Sequence, residues 1–289
     1  MAVDAAVLRS VEAGESPPTL RLYGWAPWCV SLGHFQKPDR EIDVASLRER
    51  GWDFVLRPTG GRAVLHAGEI TYSILARRDE APWCATLVAS YDHIGAAWAA
   101  ALDGFGLGMV RGQPPRADRG GAGVGANNGA LSARHNLPLQ SGSQSQPAPP
   151  CFASSARSEL AFGSRKVVGS AQRRTRGAFV QHGSIPVTPD HERLVEVLPL
   201  DAAGRAEYLR VLRAHAVSLG EITPLPGVEG SVERTAWERG VAERLLAALG
   251  ASGVAGAPGA PGELSREETV FAAAREAEHR ERQREFLGG

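Results

Sequence analysis

Lysine is almost absent from this chain. Of its 32 basic residues only Lys37 and Lys166 are lysines, and the basic total is balanced by 32 acidic residues, so the formal charge is zero. A neutral chain has no bulk attraction for nucleic acid or for an anionic membrane, and neither is expected as a partner. Cysteine is scarce too: Cys29, Cys84 and Cys151 are an odd number, far apart and in no CxxC pair, which argues against a disulfide framework and against a zinc site. No apolar run approaches the roughly 20 residues that a membrane-spanning helix needs. The opening MAVDAAVLRSVEAGES lacks a basic stretch followed by a cleavable apolar segment, so a secretory signal is not expected and a cytoplasmic setting is.

The scarcities sharpen what remains. Arginine stands almost everywhere that a positive charge is wanted, and arginine never releases its proton in a protein. A surviving lysine therefore marks a place where an exchangeable ammonium would be useful. Cys29 and Cys84 each follow a tryptophan, which favours burial, whereas Cys151 follows Pro149-Pro150. An unpaired thiol is either a small buried hydrophobe or, beside a cation, a reactive thiolate.

Periodicity predicts a helix over residues 1–14, strands over 20–25 and 30–35, and a short helix over 43–51 with Asp43 as N-cap and Gly51 as terminator. Strands over 53–57 and 62–66 flank Pro58-Thr59-Gly60-Gly61 and read as a hairpin. A strand over 70–76 and an alanine-rich helix over 88–107 follow. Residues 113–150, rich in Gly, Ser, Gln and Pro, read as a disordered insertion. Its GGAGVG lacks the preceding strand and following helix of a phosphate-binding loop. Strands then fall over 159–162, 166–170 and 178–187, and helices over 190–199, 201–219 and 231–249. The class is α/β (α+β), a mixed sheet flanked by helices, with one catalytic domain over residues 1–254. A linker and charged helix occupy residues 255–289.

Three segments carry candidate chemistry. Arg57-Pro-Thr-Gly-Gly-Arg-Ala-Val-Leu-His66 places arginines around adjacent glycines, whose backbone can approach a ligand and present N–H groups to an oxyanion; a hairpin with solvated arginines fits as well. Ser164-Arg-Lys-Val-Val-Gly-Ser-Ala-Gln172 sets the rare lysine on a strand that opens into small residues, although a surface lysine beside a turn would look the same. Gln181-His182-Gly183-Ser184 carries small polar groups along a strand, where a lone histidine is more often structural. Arg173-Arg174-Thr175-Arg176 reads as a solvated basic turn.

In order, MAVDAAVL, PPTLRLYGW, SLGHFQ, RPTGGRAVLH with TYS, and CF…EL…SRKVVGSAQ…QHGSIPV resemble the biotin/lipoate protein ligase superfamily from residue 1 to about residue 250. The cysteine-phenylalanine ahead of the lysine strand is similar to its octanoyl-[carrier protein]:protein octanoyltransferase branch. That resemblance implies Cys151 as the nucleophile forming an acyl-thioester and Lys166 as the amine that lowers its pKa. It also implies an acyl pocket built from Arg57, Gly60, Gly61, Arg62, His66, Tyr72, Ser73, Gly169, Ser170, Ala171, Gln172, His182 and Gly183. The donor would be octanoyl-acyl carrier protein, and the acceptor an apo lipoyl domain or glycine-cleavage H protein. No metal or cofactor is implied; ATP and magnesium enter only if the chain is instead a lipoate–protein ligase. A non-catalytic lipoyl-domain-binding paralogue is the other alternative. Two positions depart from the pattern: Ala67 follows His66 where the family usually has an acidic residue, and Ser158 precedes Glu159-Leu160 where an aromatic is common.

Overall fold

The computed structural model describes residues 1–83, 86–111 and 160–251, together with scattered helical positions between 269 and 281. The predicted insertion at 113–150, the linker after 255, and Cys84, Cys151 and Ser158 lie outside the described residues.

Two long strands organise the rest. β5 (Glu69–Arg77) and β10 (Ala178–Pro186) pair antiparallel over nine positions, from Ala178↔Arg77 to Pro186↔Glu69. β10 is buried along its whole length and is flanked by β5 and by β9 (Gly169–Arg174), while β1 (Thr19–Tyr23) pairs with the far side of β5. Successive side chains leave a strand on opposite faces, so this sheet has two characters. One face carries Tyr72, Ile74, Phe179 and Ile185. It packs against α4 (Leu87–Asp103), which Thr86 caps by accepting from the Ala89 N–H, and, through the same core, α7 (Val232–Ala251). Trp98 of α4 is fully buried there. On the other face Leu75 and Val180 receive Val7 and Val11 of α1 (Ala2–Ala13).

A second sheet has the order β3-β2-β4, from β3 (Asp53–Leu56), β2 (Cys29–Leu32) and β4 (Val64–His66). Here the expected hairpin is corrected. β3 and β4 are not partners: β2 lies between them, parallel to β3 and antiparallel to β4. The Gly60-Gly61 segment is thus a crossover loop passing over the end of β2, where side-chain alternation alone cannot distinguish it from a turn. The apolar side of this sheet packs on a 3-10 stretch (Pro189–Val197) and on α5 (Ala202–His215). Residues 190–199 were expected to be α-helical and instead form that tighter helix, which begins at Pro189.

β6 (Val110–Arg111), β7 (Leu160–Phe162) and β8 (Arg165–Lys166) make a third, short sheet. The expected strand over 166–170 is therefore two strands in different sheets, broken where Val167 and Val168 turn into the main core. The helix expected over 201–219 ends at His215; Ala216 is extended, and a short turn α6 (Leu219–Ile222) follows. Two short helices, α2 (Pro38–Glu41) and α3 (Val44–Glu49), bridge β2 and β3, and Asp43 caps α3 as its side chain predicts. The α/β class holds, with its strands divided among three sheets.

Backbone-to-backbone packing sets the crossover loop. The His34 N–H donates to the Thr59 carbonyl at 2.9 Å, and a Cβ at Gly33 would collide with the Gly61 carbonyl. Gly33→Ala should cost about 1–3 kcal/mol in denaturant unfolding because backbone must move. Gly60→Ala, with nothing within 4 Å of its added methyl, should stay within roughly 0.5 kcal/mol.

Candidate active site

The end of β10, the start of β9, the crossover loop and β8 enclose a cavity of about 330 Å³, within the range of small-ligand sites. Lys166 lines it. The lysine is only 7 % exposed, and its strand is pinned by the Val217 N–H, which donates to the Lys166 carbonyl at 3.0 Å. One of the two lysines of the chain therefore lines the site. Gly169, Ser170, Ala171 and Gln172 line the cavity from β9, and His182 and Gly183 from β10. A side chain at Gly183 would meet the Tyr72 ring and stand 2.7 Å from the Gly169 carbonyl. Only glycine lets β9, β10 and Tyr72 close together at this point.

From the crossover loop come Arg57, Gly60 and Gly61, and from β4 comes His66. Arg57 is buried, and its guanidinium is spent largely on the loop itself. It donates to the Ser31 carbonyl at 2.9 Å, to the Gly60 carbonyl at 3.1 and 3.2 Å, and to the Arg62 carbonyl at 2.6 Å. Its first task is to shape the Gly-Gly segment.

Three expected lining residues are displaced. The Arg62 side chain is exposed, and its carbonyl accepts from Arg57. Tyr72 is fully buried behind the lining, where its hydroxyl shares a 2.8 Å hydrogen bond with Ser170 Oγ and accepts from Gln181 Nε2 at 3.3 Å. Gln181 in turn accepts from Gln172 Nε2 at 3.0 Å, so a polar chain braces the β9 segment from below. Ser73 turns towards α1 and donates to Asp4 Oδ1 at 2.7 Å. Buried Asp4 also pairs with Arg21.

The acid that Ala67 fails to supply comes two residues later. Glu69 Oε1 lies 2.6 Å from His66 Nδ1, and the side chain is only 3 % exposed. Thr71 and Ser184 also donate to this carboxylate. His66 Nε2 lies 2.7 Å from Ser31 Oγ, to which Arg57 donates at 3.1 Å. Trp25 covers the imidazole, with ring centroids 4.4 Å apart and 14° between planes, and its indole N–H donates to Thr71 at 2.8 Å. Ser31, Thr71 and Ser184 line the cavity, yet they and Glu69 are absent from the sequence-derived set. Their signals were small: a hydroxyl inside VSLG, the threonine of TYS, the serine after Gly183, and an acid at the first position of β5. Trp25 gave no polar signal at all.

His182 is a different kind of histidine. Its Nε2 lies 2.6 Å from Thr59 Oγ1, and its Nδ1 is buried with no hydrogen-bond partner among the described residues. Burial, with Arg57 and His66 adding to it and Asp4 opposing, pushes its pKa down from 6.5 to about 4. Cys29 is buried, and burial pushes its thiol well up, leaving it inert as the tryptophan context suggested.

Residues 1–236 match the family model described as the lipoyl protein ligase A/B catalytic domain. The chain belongs to this family. It is 39 % identical over 256 residues to octanoyltransferase LipM of Kyrpidia tusciae, covering 87 % of this chain and 82 % of that protein. To octanoyltransferase LipM of Moorella thermoacetica it is 36 % identical, covering 77 % and 73 %. Among solved structures, the bipartite lipoate protein ligase of Thermoplasma acidophilum superposes with a TM-score of 0.65 at 19 % identity, covering 94 % of this chain and 84 % of that one. A lipoate-protein ligase A bound with ATP gives 0.63 at 19 % identity, covering 94 % and 86 %. At such identities these superpositions establish the shared fold.

The neutral state of His182 has a consequence for acid stability. Its stabilising effect is complete above the unfolded pKa of 6.5 and is lost as pH falls towards 4, because the unfolded chain takes up the proton first. Over that window the contribution amounts to about 3 kcal/mol. Urea unfolding of His182→Gln should show a correspondingly flatter dependence on pH between those limits than the parent protein.

Proposed function

We propose that this chain transfers an octanoyl group from octanoyl-acyl carrier protein to a lysine of an apo lipoyl domain or of glycine-cleavage H protein, through an acyl-thioester on Cys151. The coarser statement stands on kinship: the chain is an acyltransferase of lipoate biosynthesis, as its octanoyltransferase relatives are named. The observation that supports the finer one is the cavity lined both by buried Lys166 and by the small-residue strand Gly169–Gln172.

A thiolate attacks the octanoyl thioester, one thioester is exchanged for another, and the carrier leaves as its thiol. The acceptor amine then attacks the acyl-enzyme, forming an amide and releasing the cysteine. Thioester exchange is nearly balanced, whereas the amide is far more stable and draws the sequence forward. A cation beside the thiol favours its thiolate, which is the part assigned to Lys166. Backbone N–H groups of the Gly169–Ser170 segment are suited to hold the developing oxyanion, since β9 borders the cavity. Arg57 keeps the Gly-Gly loop in place along the acyl chain. The reaction so written needs no metal, nucleotide or other cofactor, and both halves take place in the cytoplasm. Among the described residues no helix is long and apolar enough to cross a membrane.

The test is transfer from octanoyl-acyl carrier protein to an apo H protein without ATP. Cys151→Ala should reduce it to background. Lys166→Arg keeps the charge but gives up the exchangeable proton, and should lower kcat by about 10²–10⁴-fold. Transfer that survives Cys151→Ala, or that requires ATP, would instead identify a ligase in which the cysteine is incidental.

A further inference from the structure

The proton of the incoming amine must go somewhere, and the cavity holds a second set of groups built to take it. Glu69 is buried and receives hydrogen bonds from Thr71 and Ser184 besides its 2.6 Å contact with His66 Nδ1. A carboxylate so dressed accepts only, so Nδ1 carries the hydrogen, and in the neutral imidazole Nε2 is left with its lone pair. The Ser31 hydroxyl, 2.7 Å from Nε2, must then be the donor to it. Arg57 donates to the oxygen of that same hydroxyl at 3.1 Å. Every hydrogen in the series is thereby directed one way, from Arg57 to Ser31, from Ser31 to His66, and from His66 to Glu69.

We infer that Ser31, His66 and Glu69 form a proton relay that deprotonates the acceptor amine during the second half of the transfer. The relay rests on the acyl-enzyme reading above and adds a second acid–base group beside Lys166. Ser31 is the member that meets the substrate: its oxygen takes the amine hydrogen while its own hydrogen passes to His66 Nε2. His66 becomes an imidazolium held by Glu69, which acts as a positioning residue. The N–C bond forms, the C–S bond breaks, and the relay returns the proton to the cysteine sulfur, so the acceptor gains an amide and the enzyme regains its thiol. Trp25, stacked on the imidazole and tied to Thr71, keeps the ring in plane and away from solvent.

A purely structural tie between β2, β4 and β5 is the competing account. It does not require that Ser31 and His66 both line the cavity shared with Lys166. Nor does it require a lone pair aimed at a hydroxyl whose oxygen a guanidinium already contacts. Among the described residues, the charged and titratable groups around His66 include Glu69 on β5, Arg57 from the crossover loop, Cys29 opposite it on β2, His182 and the nearby Asp4 across the sheet, Lys166 on β8, and the amino group of Met1, which lines the same cavity.

Single-turnover chase separates the two accounts. Wild type, Ser31→Ala and His66→Gln are loaded with octanoyl-acyl carrier protein, freed of donor, checked by intact mass, and chased with an apo lipoyl domain over a range of pH. The relay predicts that both variants lose about 100-fold in chase rate near neutral pH. It further predicts that the deficit closes as pH rises, because hydroxide replaces the missing base. A deficit that is constant with pH, or no deficit, overturns the relay while leaving the acyl-enzyme intact. A wild-type protein that gains no octanoyl mass overturns the acyl-enzyme reading and the relay with it. Glu69→Asp, which keeps the carboxylate but shortens its reach, should fall between wild type and His66→Gln with the same pH-dependent closing.

Discussion

The pairing of β5 with β10 is the constraint on which the rest of the molecule depends. Nine residues on each strand are held in one register, and β10 is buried from end to end. A slip of one residue would turn Tyr72, Ile74, Phe179 and Ile185 out of the core and turn Ser73, His182 and Ser184 into it. The same register that buries the aromatic and branched side chains against α4 and α7 therefore delivers the polar groups to the opposite face. Near Asp4 and α1 these are tied down by ion pairs and hydrogen bonds. Towards the β2–β4 sheet they open into the cavity. The site is thus the polar end of a sheet face whose other end is sealed by α1.

Two kinds of burial then give two histidines opposite characters. His182 is buried with one nitrogen unpartnered among the described residues, and burial, which outweighs the opposing pull of Asp4, keeps its ring neutral into acid. His66 has a buried carboxylate on one nitrogen and a hydroxyl on the other. Arg57 connects these environments: it shapes the Gly-Gly loop through the Gly60 and Arg62 carbonyls and meets Ser31 beside His66. Replacing its fork by a single ammonium would leave some of those carbonyls without donors, which is why arginine belongs at this position and lysine at 166.

Much of this was legible in the residues, and the reasons for what was not are physical. Asp43, Gly51 and the alanine-rich α4 announce local structure, because capping and helix periodicity act within a few residues. The Arg57–His66 block and the Lys166–Gln172 segment announce a site, because glycine pairs and rare lysines are conspicuous. The hairpin between β3 and β4 was misread because insertion of β2 between them is a long-range pairing that alternation does not encode. The break at Val167-Val168 was invisible for a related reason: two valines fit a strand as well as they fit a core plug. Glu69 does not stand beside His66 in the sequence pattern, because it is the turn at Gly68, with φ at +53°, that brings the first side chain of β5 back against the last of β4. Arg62, Tyr72 and Ser73 were placed in the lining by kinship, and each is turned aside by its position in the pleat or the loop.

The proposed transfer rests on one cysteine among three, and Lys166, one of two lysines, lines the cavity. The most direct measurement is a peptide map of the wild-type protein after exposure to octanoyl-acyl carrier protein alone, with neither ATP nor acceptor present. One octanoyl group should be found, as a thioester on the peptide containing Cys151, with Cys29 and Cys84 unmodified. Octanoyl on either of those two cysteines, or a protein that acquires none until ATP is added, would contradict the account.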